Sequence, residues 1–206
     1  MIRLLPNILT IFRILLTPLF VYCLLESGLQ AYAILIFLLA AVTDWYDGHL
    51  ARRYSLTSDA GRFLDPLADK ILVLSAFFSF VYLGVVKLWM VLIIVIRDFL
   101  VTGIRSYSLK IGRPMLTNDL GKLKTASQMF MIVLILAFLA IQSSLEGITQ
   151  SLGALLKDWF AIIPHNQIIY SGMLLVTLLT MASGIIYIYQ NRHNLRRWMG
   201  FQFWDS

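Results

Sequence analysis

Little in this chain is cysteine, and little of it is charged. One cysteine, Cys23, occurs in 206 residues. A single thiol excludes an intramolecular disulfide framework and a cysteine-based metal site. Charged residues make up 14% and only eleven side chains are acidic, against a hydrophobic share of 59%. A soluble domain of this length cannot hide that much apolar surface, so the composition points to a membrane as the solvent. The opening residues do not read as a secretory leader. Pro6, Arg13 and Pro18 break their apolar stretch, and no small-residue cleavage pattern follows. No internal repeat or low-complexity tract is visible, and one domain over 1–206 is expected.

What is present is a series of long apolar runs. Six lie near 12–26, 31–50, 66–86, 88–108, 121–143 and 168–190. Each approaches the roughly 20 residues that a helix needs to cross a bilayer. Such spans must be helical, because backbone groups in lipid have to pair within their own segment. The expected fold is therefore all-α, an integral membrane bundle of six transmembrane helices. Residues 1–11, with Pro6, Asn7 and Thr10, read as an interfacial arm or short helix, and 144–167 as an interfacial connection carrying Trp159 and Phe160. The formal net charge is +6. If the spans alternate, Arg3, Arg13, Arg52, Arg53, Arg62, Lys110, Arg113, Lys122, Arg192, Arg196 and Arg197 fall on one side. The positive-inside rule makes that side cytosolic, with both termini and the 51–65 and 109–120 loops. The basic excess is read as facing anionic lipid, and no nucleic-acid partner is expected.

Four of the eleven acids crowd into one stretch: Asp44, Asp47, Asp65 and Asp69. The first two end the second span at i, i+3, and the last two open the third at i, i+4, so each pair shares a helix face. A loop of about fifteen residues between them lets the faces meet. At an effective dielectric near 20, two like charges about 4 Å apart repel by roughly 4 kcal/mol. A hard divalent cation offsets this, and Mg²⁺ (or Mn²⁺) is the usual choice beside a diphosphate. Gly48, Ala51, Gly61 and Ala68 keep the surroundings small, and Arg52 can fork onto a phosphate. A plainer account is available for part of the set: Asp65 before Pro66 has the form of a helix N-cap, and Asp69 suits a helix N-terminus. Acids at membrane depth cost about 2.5–3.5 kcal/mol each at the centre, however, which makes four convergent ones hard to explain as decoration.

The run Asp44-Trp-Tyr-Asp47-Gly48-His-Leu-Ala51-Arg52, followed by Gly61, Asp65 and Asp69 at fixed intervals, resembles the signature of the CDP-alcohol phosphotransferase family at eight fixed positions. The resemblance implies six transmembrane helices, usually in a homodimer, with the active site at the cytosolic membrane surface. Pro6-Asn7-Ile-Leu-Thr10-Ile-Phe-Arg13, Phe63-Leu-Asp65-Pro66-Leu-Ala-Asp69-Lys70, Arg97-Asp98 and Gly121-Lys122-Leu-Lys124-Thr125-Ala-Ser-Gln128 resemble the branch whose acceptor is sn-glycerol 3-phosphate. Asp98 departs from a position where Glu is as common. The likeness covers about 1–130, and the last third matches only as generic membrane helix. It implies transfer from CDP-diacylglycerol, at a bacterial inner membrane, with Asp44, Asp47, Asp65 and Asp69 on metal and Asp69 as the base. It also implies a CDP-lipid site of Asn7, Thr10, Gly48, Arg52, Ser58 and Gly61.

A dianionic acceptor needs fixed cations, and Arg97, Arg105, Lys122 and Lys124 are the candidates. Arginine inside an apolar span normally faces a polar cavity or a partner. The plainer accounts are a local pair of Arg97 with Asp98, and lipid anchoring by the other three. His49, His165 and His193 show no ligand spacing, Asp119 reads as an N-cap, Arg192, Arg196 and Arg197 as a lipid-surface anchor, and Trp159, Trp198 and Trp204 as interface belts. Three rivals follow from the same residues. One keeps the chemistry with another acceptor, phosphatidylglycerol or inositol phosphate. An intramembrane prenyltransferase would carry two aspartate motifs far apart, and a divalent-cation transporter would hold its acids at the bilayer midplane.

Overall fold

The computed structural model describes the backbone of residues 5–54, 59–110, 119–146 and 165–192, and the side chains of 12–43, 70–106, 108, 121–145 and 165–192. Among the described residues all regular structure is helical. The helices are α1 (Leu5–Leu25), α2 (Gln30–Tyr54), α3 (Asp59–Tyr82), α4 (Leu88–Lys110), α5 (Asp119–Glu146) and α6 (His165–Gln190). Several outrun the apolar runs that predict them, because hydropathy marks only the stretch that meets lipid while the backbone ladder continues past it. Residues 5–11 are thus part of α1 rather than a separate arm, with Pro6 in the first turn, where a missing N–H costs nothing. The expected fifteen-residue loop between the acid pairs is replaced by helix, and only 55–58 separate α2 from α3. Arg13, counted above with the basic side, is a buried residue of α1.

Two turns are set by glycine. Gly28 (φ 87°) closes α1, and its N–H donates to Gln30 Oε1 at 3.0 Å. Gly84 (φ 72°) ends α3. There the Val85 N–H reaches the Phe80 carbonyl and the Gly84 N–H the Val81 carbonyl, both at 3.0 Å. This pairing satisfies carbonyls that the helix end would leave bare, and the left-handed φ favours a residue without Cβ.

The chain divides into two compact units, Met1–Val85 with Ile132–Asn166, and Val86–Met131 with Gln167–Ser206. In the first, α1 packs against both α2 and α3. Phe20 of α1 meets Phe37 of α2 with ring centroids 5.7 Å apart, and Ala33, Ala40, Leu72, Ala76, Phe77 and Phe80 are also buried. The second unit buries Met90, Val91, Ile94, Met131, Ile169, Met173 and Val176.

The outward faces are apolar as well. Leu15 is 66% exposed, Leu35 63%, Phe130 65% and Ile185 63%, on four different helices. Helices apolar on both faces belong in lipid. Two of them, over Gly121–Leu145 and His165–Gln190, are long and apolar enough to cross a membrane on their described residues. Several hydroxyls within the helices bond back to their own turn, as suits a medium without water. Thr17 Oγ1 donates to the Arg13 carbonyl at 2.9 Å, Thr43 Oγ1 to that of Ala40 at 2.8 Å, and Thr177 Oγ1 to that of Met173 at 2.7 Å. Inside such a bundle packing, not water exclusion, holds helices together. Phe20→Ala therefore destabilises the protein by about 2 kcal/mol, below the ~3–5 kcal/mol typical of soluble cores, because no transfer from water is lost. Leu15→Ala has little effect, and thermal unfolding of both variants in one detergent checks the contrast.

Candidate functional site

The helical register of the first unit carries the predicted catalytic positions. On α1 the buried side chains Arg13, Thr17, Phe20 and Leu24 step by three or four, and the same steps backwards reach positions 10 and 7. On α2, Ala33, Phe37 and Ala40 continue to positions 44 and 47. On α3, Phe80, Ala76 and Leu72 lead back to 69 and 65. The α1–α2 turn is short and only 55–58 join α2 to α3. The start of α1, the end of α2 and the start of α3 therefore lie at one end of this three-helix group. Asn7 and Thr10 stand on the first of these segments, Asp44, Asp47, Gly48 and Arg52 on the second, and Gly61, Asp65 and Asp69 on the third. The side chains of these residues, and Ser58 altogether, lie outside the described residues.

One alternative is removed by this backbone. Asp65 is not an N-cap, since α3 begins at Asp59 and runs on through Asp65, Pro66 and Asp69. Aspartates at i, i+3 and i, i+4 on two continuous helices offer only oxygen donors, the chemistry that suits a hard divalent cation. Among the described side chains no three His, Cys, Asp or Glu gather into a metal-binding group, and the four aspartates are outside that set.

The second unit holds the predicted acceptor cations, and here the side chains are visible. Arg97 of α4 donates through Nη1 to Asp98 Oδ1 at 3.2 Å and through Nη2 to Ser183 Oγ of α6 at 2.9 Å. Lys124 of α5 donates to the same Asp98 oxygen. The local pairing of Arg97 with Asp98 is thus real, and Lys124 shares it. Lys124 is buried at 5% exposure, so lipid anchoring does not describe it. Arg105 and Lys122 are exposed. The structure brings Arg97 and Lys124 together through one carboxylate.

The last helix, which the resemblance covers only as generic membrane helix, is not uniformly apolar. The inward face of α6 is apolar at Ile169, Met173 and Val176, then turns polar at Thr177, Thr180, Ser183 and, past its end, Asn191. The signal is legible in retrospect: small polar residues at helical spacing inside an apolar run. On α5, Lys124 and Gln128 are buried one turn apart. The other residues singled out add no chemistry. His165 packs its ring 4.5 Å from that of Phe138, α5 opens at Asp119, and Arg192 lies 4.6 Å over the Tyr189 ring. His49, His193, Arg196, Arg197, Trp159, Trp198 and Trp204 fall outside the described side chains.

Removing the shared acid takes the carboxylate away from a buried lysine and a part-buried arginine. Asp98→Ala destabilises the protein by about 3 kcal/mol or more, whereas Arg105→Ala at an exposed site changes stability by less than about 0.5 kcal/mol. Paired thermal melts distinguish the two.

Comparison with known proteins matches residues 3–163 to the family model described as CDP-alcohol phosphatidyltransferase. The chain is 37% identical over 142 residues to the CDP-diacylglycerol–glycerol-3-phosphate 3-phosphatidyltransferase of Bacillus subtilis (strain 168), covering 62% of this chain and 74% of that protein. It is 38% identical over 141 residues to the protein of that name in Wigglesworthia glossinidia brevipalpis (62% and 73%), and 37% over 131 residues to that of Escherichia coli K12 (60% and 71%). With the family pattern running through α1 to α5, the chain belongs to the CDP-alcohol phosphatidyltransferase family.

Proposed function

We propose that this enzyme transfers the phosphatidyl group of CDP-diacylglycerol to sn-glycerol 3-phosphate, giving phosphatidylglycerophosphate and CMP. The observation that carries the reading is the similarity, over about three quarters of their length, to relatives named for that reaction. The register of α1, α2 and α3 supports it by setting the motif positions at one end of one helix group.

Each residue has a role in the reaction. Asp44, Asp47, Asp65 and Asp69 hold divalent metal, Mg²⁺ or Mn²⁺. When bound, the ion neutralises the diphosphate and stabilises the leaving CMP. Arg52 forks onto a phosphate of the CDP-lipid. Gly48 and Gly61 leave room for the nucleotide, and Asn7, Thr10 and Ser58 take its cytidine end. Arg97, Arg105, Lys122 and Lys124 bind the phosphate of the acceptor. Asp69 accepts the proton of the acceptor hydroxyl. That oxygen bonds to the phosphatidyl phosphorus as the phosphorus–oxygen bond to CMP breaks, and CMP departs with the bonding pair. All six helices span the membrane, the basic ends and both termini face the cytosol of a bacterial inner membrane, and the enzyme works as a homodimer in lipid.

Two experiments test this. Turnover stops on chelation and returns with Mg²⁺ or Mn²⁺. Asp44→Asn, Asp47→Asn and Asp65→Asn lose both metal affinity and turnover, while Asp69→Asn loses turnover yet retains CDP-lipid binding. Near-normal turnover by Asp69→Asn excludes it as the base. In the second, CDP-diacylglycerol is offered with a panel of alcohols and the lipid product is weighed. Glycerol 3-phosphate is the preferred acceptor. Arg97→Ala, Arg105→Ala and Lys122→Ala each raise its KM by about ten- to a hundredfold, the equivalent of one charge-assisted hydrogen bond, and leave the KM for CDP-diacylglycerol nearly unchanged. Equal, small effects on both substrates remove the acceptor assignment.

A further inference from the structure

Arg97 has more holding it than its neighbour in the chain. Its Nη2 donates to Ser183 Oγ at 2.9 Å, and Ser183 Oγ in turn donates to the Thr180 carbonyl at 2.9 Å. The hydroxyl is thereby oriented, with its lone pairs toward the guanidinium and its proton committed to the helix backbone. One residue on, Gly184 is the floor beneath the side chain. A Cβ placed there would fall 2.9 Å from Arg97 Cγ, closer than ordinary contact allows, and 3.4 Å from Nε. The arginine stem thus lies directly against the α6 backbone, an approach that only glycine allows. Asp98 Oδ1 fixes Nη1 from the other side and ties it to Lys124. Two Nη protons of the five guanidinium donors serve these bonds, and among the described residues the second proton on each of Nη1 and Nη2 makes no further bond. Ser183 is 4% exposed and lies deep in the inward face of α6, beyond residue 163 where the family match stops.

From this geometry we propose that Ser183 and Gly184 of α6 are positioning residues for the acceptor. They seat the Arg97 guanidinium so that its remaining donors meet the phosphate of the incoming alcohol. The inference rests on the reading of Arg97 as an acceptor-phosphate ligand, and it makes α6 part of the machinery for acceptor selection. Arginine has many rotamers, and a cation that must bind a small dianion gains from losing them before the ligand arrives. The hydroxyl and the bare backbone provide that restraint, and neither touches substrate.

The test is a double-mutant cycle on the full-length enzyme in lipid-containing micelles with saturating divalent metal. Ser183→Ala and Gly184→Ala each raise the KM for glycerol 3-phosphate by about three- to tenfold, with the KM for CDP-diacylglycerol within about twofold of the parent. In an Arg97→Ala background the same changes add less than about twofold, because the Cγ that the new methyl would strike, and the guanidinium that the hydroxyl would hold, are both gone. A merely structural role predicts the reverse: equal effects on both substrates that persist without Arg97. Either result, or parent-like acceptor KM values in both variants, overturns the proposal. Should Gly184→Ala not fold, Ser183→Ala, which removes one oxygen, carries the cycle alone. If Arg97→Ala itself leaves the acceptor KM unchanged, the acceptor reading of Arg97 falls. If Arg97→Ala acts while the α6 variants are silent, only this inference falls.

Discussion

Two cations from different helices, the buried Lys124 and the part-buried Arg97, share the carboxylate of Asp98, and the second unit packs α4, α5 and α6 around them. An uncompensated ion inside an apolar bundle would cost several kcal/mol. Arg97 and Lys124 therefore cannot be carried independently of Asp98, nor α4 packed without regard to α5. The helix that completes the set, α6, meets the guanidinium with a hydroxyl and a glycine rather than another charge. On the proposed reading, an acceptor dianion requires a cation to remain available to it, and the neutral contact from α6 adds no opposing charge. The polar turn of the α6 inner face is the extension of the same requirement along the helix.

The first unit solves a different problem. On the proposed reading its four aspartates would repel one another, and a divalent cation would offset that repulsion. Its helices hold them by continuing a packed register, so that the steps which bury Phe20, Phe37 and Phe80 also lead to the motif positions. The motif positions thus stand on helix rather than on loop, and their backbone spacing inherits the stiffness of the packed core.

Much of this is legible in the sequence because two strong periodicities coincide. Apolar runs near bilayer length give the helices, and aspartates at i, i+3 and i, i+4 give the shared faces. The errors have one origin: hydropathy reports the environment of side chains and not the continuity of the backbone. It therefore ends α2 before Tyr54 and opens α3 at Pro66 rather than Asp59. The role of α6 is hidden for another reason. Ser183 and Gly184 are small and nearly neutral in hydropathy, and their contribution exists only against Arg97, 86 positions earlier in the chain. Similarly, that Asp98 serves Lys124 as well as Arg97 depends on the packing of α4 against α5, which local spacing does not reveal.

The solitary thiol of Cys23 is buried at 7% exposure within α1. A buried thiol among apolar neighbours is chemically quiet toward water-soluble reagents. The natural protein is thus already a near-silent background for thiol labelling. Single cysteines introduced at chosen loop positions would report their own accessibility from either side of a sealed vesicle, so the sidedness of the chain can be mapped without first rebuilding the protein.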